Sequence, residues 1–257
     1  MFKPFFKATI AALIVTSPSA LSEPTADTNH CATDSALVHA TYALSSQAQH
    51  KPVHHQTLEL RRQGDEVAQS YPKQEITEIW NLLKDGRTRP TRYFEHYKRG
   101  IEYYPEEIKS NKNKDLWETK YQFITNAQRS DMELVKSTGQ GCKRTETYRQ
   151  EKAGVVYELQ WLPKLKLVKR YREISTVQAA SQRSFEMNLK SLHTDELPIK
   201  QFFEDHAAYA MTDYADVGDN ESDPFLMQMV NLGFIKGGHS GYYNTDGAHI
   251  EGGHHSH

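Results

Sequence analysis

Thirteen histidines are the residues of this 257-residue chain best equipped for chemistry, and five of them crowd its end: His239, His249, His254, His255 and His257. Neutral imidazole is a common ligand for Cu²⁺, Ni²⁺ or Zn²⁺, and a His-rich tract is a metal-binding composition. Gly237, Gly238, Gly241, Gly247, Gly252 and Gly253 make the surrounding tail flexible enough for several rings to converge, with Asp246 and Glu251 as oxygen donors. Ordering such a tail costs ~1–2 kcal/mol per residue, so the competing reading is a solvated tail with incidental affinity. His50, His54 and His55 form a second group, in which Pro52 argues against a shared helical face. Carboxylates between Asp213 and Asp223 offer oxygen ligands for Ca²⁺, but their spacing is not that of a twelve-residue calcium loop. The last of them suit a helix N-terminus instead.

Catalytic constellations are weaker. The sequence contains no Gly-x-Ser-x-Gly, no His-Glu-x-x-His and no phosphate-binding loop. Glu204, Asp205 and His206 resemble an acid–base group, yet His206 falls on the apolar face of a predicted helix and reads as a hydrogen-bonded core residue. Trp80, Trp117 and Trp161 read as core.

Residues 1–22 have the order of an export signal: Lys3 and Lys7, the apolar run Ala8–Val15, then Ala20 and Ser22. The expected mature chain begins at Glu23 in the periplasm or outside the cell, without a transmembrane segment. Cys31 and Cys142 remain, and an oxidising compartment predicts a disulfide between them. No Cys-x-x-Cys is present, which excludes thioredoxin-type chemistry and c-type haem.

The elements that must position these residues are mostly short strands. A helix is predicted over Ser35–Gln47, where Ala36, Leu37, Ala40, Ala43 and Leu44 form one stripe. Period-two segments follow at 57–62, 66–71, 75–82, 91–97, 101–104, 132–137, 143–150, 155–162 and 166–175. Asp85-Gly86 marks a hairpin, and Glu151–Gly154 and Pro163-Lys164 mark turns. Helices are expected at 114–127, at 199–210 and from Pro224 to a Gly233 cap. Residues 185–189 fit a strand or a helix. The fold class is thus β-rich α+β: an antiparallel twisted sheet or open half-barrel of about ten strands with a few packed helices and a flexible C-terminal tail. The expected divisions are a signal peptide (1–22), an N-terminal helix and linker (23–56), an antiparallel β domain (57–192), a helical segment (193–236) and the Gly/His-rich tail (237–257).

Tyr157-Glu158-Leu159-Gln160-Trp161-Leu162-Pro163 followed by Leu165-Lys166-Leu167-Val168-Lys169-Arg170-Tyr171 resembles the periplasmic outer-membrane-lipoprotein carrier family. There a strand ending in an aromatic and a proline leads into one rich in Leu, Val and Arg. The likeness covers under a tenth of the chain, and that family's early strands have no recognisable counterpart here. It implies a twisted sheet and no particular activity.

Charge is uneven: residues 51–175 carry 25 Lys/Arg against 18 Asp/Glu, and residues 176–257 carry 4 against 12. The two regions complement each other in one fold, or the basic body faces an anionic ligand. No basic block is dense enough for nucleic acid. The sequence therefore predicts an exported, non-enzymatic binding or accessory protein with a transition metal on its tail. The partner would be an anionic or apolar ligand or an envelope protein. A carrier of a lipid or other apolar ligand in a concave sheet, and an envelope hydrolase without a recognisable motif, are the competing readings.

Overall fold

Val38, Ala40, Tyr42 and Leu44 are buried and alternate with half-buried neighbours, so Leu37–Gln47 is a strand, β1, where a helix is expected. Its Ala and Leu residues satisfy a period of 3.6 as well as a period of two, and pairing decides between them. β1 is hydrogen-bonded on both sides, to β2 (His54–Gln63) and to β11 (Ser184–His193). The β-favouring Val38, Thr41 and Tyr42 agree with that outcome. The computed structural model describes residues 35–48, 51–108, 113–175, 183–218 and 222–231.

From β2 the chain runs as a meander through β3 (Glu66–Tyr71), β4 (Ile76–Leu82), β5 (Thr88–Phe94) and β6 (Arg99–Glu102). The Asp85-Gly86 hairpin forms as expected, with Gly86 at φ 83° and the Asp85 carboxylate accepting from Arg87 N at 3.0 Å. A second meander holds β7 (Glu133–Thr138), β8 (Thr145–Lys152), β9 (Val155–Leu162), β10 (Leu167–Ser175) and β11. Residues 185–189 therefore belong to a strand. A short β12 (Ala210–Asp213) adds in parallel beside β6. Among the described residues the strands form a single open sheet of twelve, in the order β12-β6-β5-β4-β3-β2-β1-β11-β10-β9-β8-β7. The two strands beyond the expected ten are β1 and β12.

The sheet curls. Arg62 on β2 donates to Leu165 O at 2.9 Å and Lys166 O at 2.8 Å in the β9–β10 turn, although β1, β11 and β10 intervene in the ladder. One face is therefore concave. On it Val38, Leu60, Trp80, Tyr148, Leu159, Trp161 and Met187, from both meanders, share one core. Residue alternation sends Ala68, Ile79 and Tyr93 to the convex face. There they pack on Ile199 and Phe203 of α3 (Glu196–Ala207).

The helix expected at 114–127 is two: α1 (Asn113–Gln122) and α2 (Asn126–Ser130). Phe123 stands between them at φ 67°, a left-handed conformation that costs a non-glycine residue ~1–3 kcal/mol. Thr125 then opens α2 with a capping box to Gln128, which outcompetes helix continuation. The last helix, α4 (Pro224–Asn231), begins as expected: Asp223 Oδ1 accepts from Phe225 N at 2.9 Å. It covers Ile76, Phe94 and Ile101 at the β4–β6 end of the concave face. Among the described residues, two ion pairs join the basic body to the acidic C-terminal region, Arg99–Asp223 at 2.9 Å and Arg170–Glu186 at 2.7 Å.

Candidate functional site

The concave face carries buried charge at one end and half-buried aromatic surface at the other. At the charged end, Glu78 on β4 meets Arg92 Nη2 at 2.7 Å and Lys120 Nζ of α1 at 3.3 Å. Glu78 is 3%, Lys120 6% and Arg92 8% exposed, so all three charges lie out of water. Burial pushes the Glu78 carboxyl up, but the Lys120 ammonium and the Arg92 guanidinium outweigh it and hold it at about 2, against an ordinary 4.5. Gln69 donates to Lys120 O at 2.8 Å, and the Lys120 ammonium lies 4.5 Å from the Trp80 ring. These contacts seat α1 over β3–β5. Arg62 completes the anchoring: its fully buried guanidinium lies 3.9 Å over Tyr121 of α1 and also donates to Ser35 O at 3.1 Å.

Past the break at Phe123 the cover changes. Phe123 meets Tyr42 edge to face at 5.2 Å, and Arg129 of α2 lies 5.4 Å over Trp161. Further along β9, β10 and β11 the inward-facing residues are Tyr157, Tyr171, Phe185 and Leu189, all half-buried and all packed against the core beneath. Tyr171 and Phe185 stand 6.2 Å apart. A carboxylate is paired into this strip: Glu173 accepts from Tyr171 OH at 2.8 Å. Burial raises the Tyr157 hydroxyl above its ordinary value, and the nearby Glu173 charge adds to that. The strip is a floor of aromatic carbon with two hydroxyls and one satisfied acid. It is suited to apolar contact rather than to proton transfer.

His206 is the core histidine that its helical position predicts. Its Nδ1 lies 2.7 Å from Phe202 O and its Nε2 2.9 Å from Glu95 Oε1, on the convex face. Both ring nitrogens are committed, which leaves none to activate a nucleophile. Glu95 also accepts from Thr77 Oγ1 at 2.6 Å and Tyr209 OH at 2.8 Å. This network fastens α3 to the sheet. Trp80 and Trp161 are core, and Trp117 packs against it.

The five tail histidines lie outside the described residues, as do residues 1–22, Cys31, His50, Gly233 and part of the acidic run. Among the described residues no group of three or more His, Cys, Asp or Glu is arranged to hold a metal ion. His54 and His55 are consecutive in β2 rather than in a loop, so they point to opposite faces and do not share a ligand. Asp223 is spent on Arg99 and the α4 cap. Sequence reasoning missed Glu78, Lys120 and Arg62. Glu78 and Arg62 interrupt apolar alternation at inward positions of β4 and β2, and that parity was the available signal.

Cys142 sits in the short turn Gly141–Lys143 between β7 and β8, and no described cysteine is free. Pairing with Cys31 remains our expectation. Mass spectrometry of unreduced protein should find no alkylated thiol, and two after reduction. Two alkylated thiols before reduction would remove the disulfide.

Protein-family profiles give no match to the sequence. Curated proteins give none either. Solved structures give loose overlaps. PNGF-II in space group P21 is 9% identical at a TM-score of 0.34, covering 69% of this chain and 31% of that one. The Pseudomonas aeruginosa MucA/MucB complex is 11% identical at 0.30, covering 62% and 52%. A LolA superfamily protein from Nitrosomonas europaea is 9% identical at 0.28, covering 69% and 93%. The chain thus spans about a third of the first and about half of the second. Overlaps this loose leave the chemistry to be read from the residues themselves.

Proposed function

We propose that the protein is an exported, non-enzymatic carrier of an apolar ligand, a lipid or an acylated molecule, held on the concave face. The observation that supports this reading is the half-buried strip of Tyr157, Tyr171, Phe185 and Leu189 beside the α1–α2 break. Export rests on the Lys3, Lys7 and Ala8–Val15 leader. No described helix is long and apolar enough to cross a membrane. A transition metal on His239, His249, His254, His255 and His257 is a second proposal, carried by sequence alone.

The carrier reading is tested with a dansylated fatty acid followed by fluorescence. Wild-type protein should bind it and enhance its emission. Phe185→Asp removes an aromatic contact worth ~1.5–3 kcal/mol, so affinity should fall about ten- to a hundredfold. Tyr97→Ala, at an exposed position away from the strip, should bind as wild type does. No binding by wild-type protein, or equal binding by Phe185→Asp, would reject the strip as the site. Mass spectrometry of protein purified from the native envelope should show the lipid class.

A further inference from the structure

The convex face over β1, β2 and β11 is uncommitted by the carrier reading and carries its own chemistry. His39 on β1 and His193 on β11 are direct cross-strand partners, so their side chains leave the sheet on the same side. Their ring centroids are 5.8 Å apart and the planes are tilted by 40°. That separation lets a nitrogen of each ring reach one ion at ~2.0–2.1 Å, because the ion then sits between the rings with about 2 Å on either side. Glu59 Oε2 stands 3.5 Å from His39 Nε2. At that distance the carboxylate favours the tautomer with the proton on Nε2, which leaves the lone pair on Nδ1 to serve as the ligand. This is the relation that carboxylates commonly hold to metal-ligating histidines.

We propose that His39 and His193 form a two-histidine chelate for a borderline transition metal, Cu²⁺, Ni²⁺ or Zn²⁺, with water completing the coordination. Two features favour it over incidental surface imidazoles. β1 is fixed by ladders on both sides, so the pair is held in place before the ion arrives. The neighbouring Glu59 also supplies negative charge next to the ion. Arg61 opposes it: its Nη2 lies 2.6 Å from the same Glu59 oxygen and returns a positive charge to the site. The chelate is therefore a moderate-affinity site and not a structural one.

The test uses the full-length chain with His239, His249, His254, His255 and His257 replaced by alanine, so that the tail cannot contribute. Calorimetric titration with CuCl₂ should show one equivalent bound, and Cu²⁺ should raise the melting temperature. The copper electron-spin spectrum should show coupling to two imidazole nitrogens. His193→Ala and His39→Ala, each in that background, should weaken binding at least about tenfold and abolish the thermal shift. His193 is exposed at the end of β11, so His193→Ala decides the matter even if His39→Ala fails to fold. His55→Ala, at an exposed position elsewhere on β2, should leave binding unchanged. No binding in the tail-substituted chain, or undiminished binding in His193→Ala, would overturn the chelate. Neither result depends on whether the concave face holds an apolar ligand.

Discussion

Glu78→Gln is expected to destabilise the protein by about 3–5 kcal/mol, because it leaves Arg92 and Lys120 buried beside each other without the carboxylate that neutralises them. Urea denaturation reads the loss directly. The triple variant Glu78→Met, Arg92→Leu, Lys120→Met should recover most of it, since replacing a whole buried ion cluster by apolar groups is commonly neutral or better. A single variant as stable as wild type would show that the cluster is solvated. Acid titration gives an independent reading. The native Glu78 carboxyl is held at about 2 against an ordinary 4.5. Its stabilisation is thus complete above pH 4.5 and lost as pH falls from there through about 2. His39 and then Arg61 hold Glu59 near the same low value, and His206, Thr77 and Tyr209 do so for Glu95 against its burial. Wild-type stability should therefore fall steeply over that window. In Glu78→Gln the slope should be shallower by one proton.

Arg62→Met should cost a comparable amount, about 3–5 kcal/mol, for a different reason. Among the described residues the guanidinium has no carboxylate partner. It serves three backbone carbonyls, Ser35 O, Leu165 O and Lys166 O, and burial pulls its pKa down to about 10. Methionine refills most of the stem volume, so the expected loss is that of leaving buried carbonyls without donors, ~1–3 kcal/mol each. Arg62→Lys should fall in between, because one ammonium cannot reproduce a planar fork that reaches the β9–β10 turn and Ser35 together. If Arg62→Met melts with wild type, water must reach those carbonyls and the curl of the sheet does not depend on this contact.

How much of this was legible varied with how local the cause is. β9 has the bounds its alternation predicts, and the hairpin at Asp85-Gly86 forms where turn chemistry places it. β1 was not legible, because Ala36, Leu37, Ala40, Ala43 and Leu44 suit a helical stripe and only pairing with β2 and the distant β11 settles the matter. β12 was not foreseen: the predicted helix at 199–210 claimed its first residue and no element was assigned to the rest, since its partner, β6, lies far away in the chain. His206 was legible as core because its own helix defines its surroundings. The strip of Tyr157, Tyr171, Phe185 and Leu189 was not, because aromatic residues in strands look alike whether the facing layer covers them fully or in part. Glu78, Arg92 and Lys120 come from three elements and have residue types normally at the surface, so composition assigns them to solvent.

The position of β1 also bears on how the sheet is assembled. Each meander, β2 to β6 and β7 to β11, closes through neighbouring strands, and such contacts form early at low entropic cost. The seam between them, where His39 faces His193, is a pairing of high contact order that cannot form until the last strand of the second meander exists. Until then β1 is a raw edge that carries the inner apolar residues Val38, Ala40, Tyr42 and Leu44. This half-assembled sheet is the species most exposed to intermolecular strand pairing. A chain that ends before Ser184 is left permanently in that state, whereas one that includes β11 removes the edge by pairing it internally.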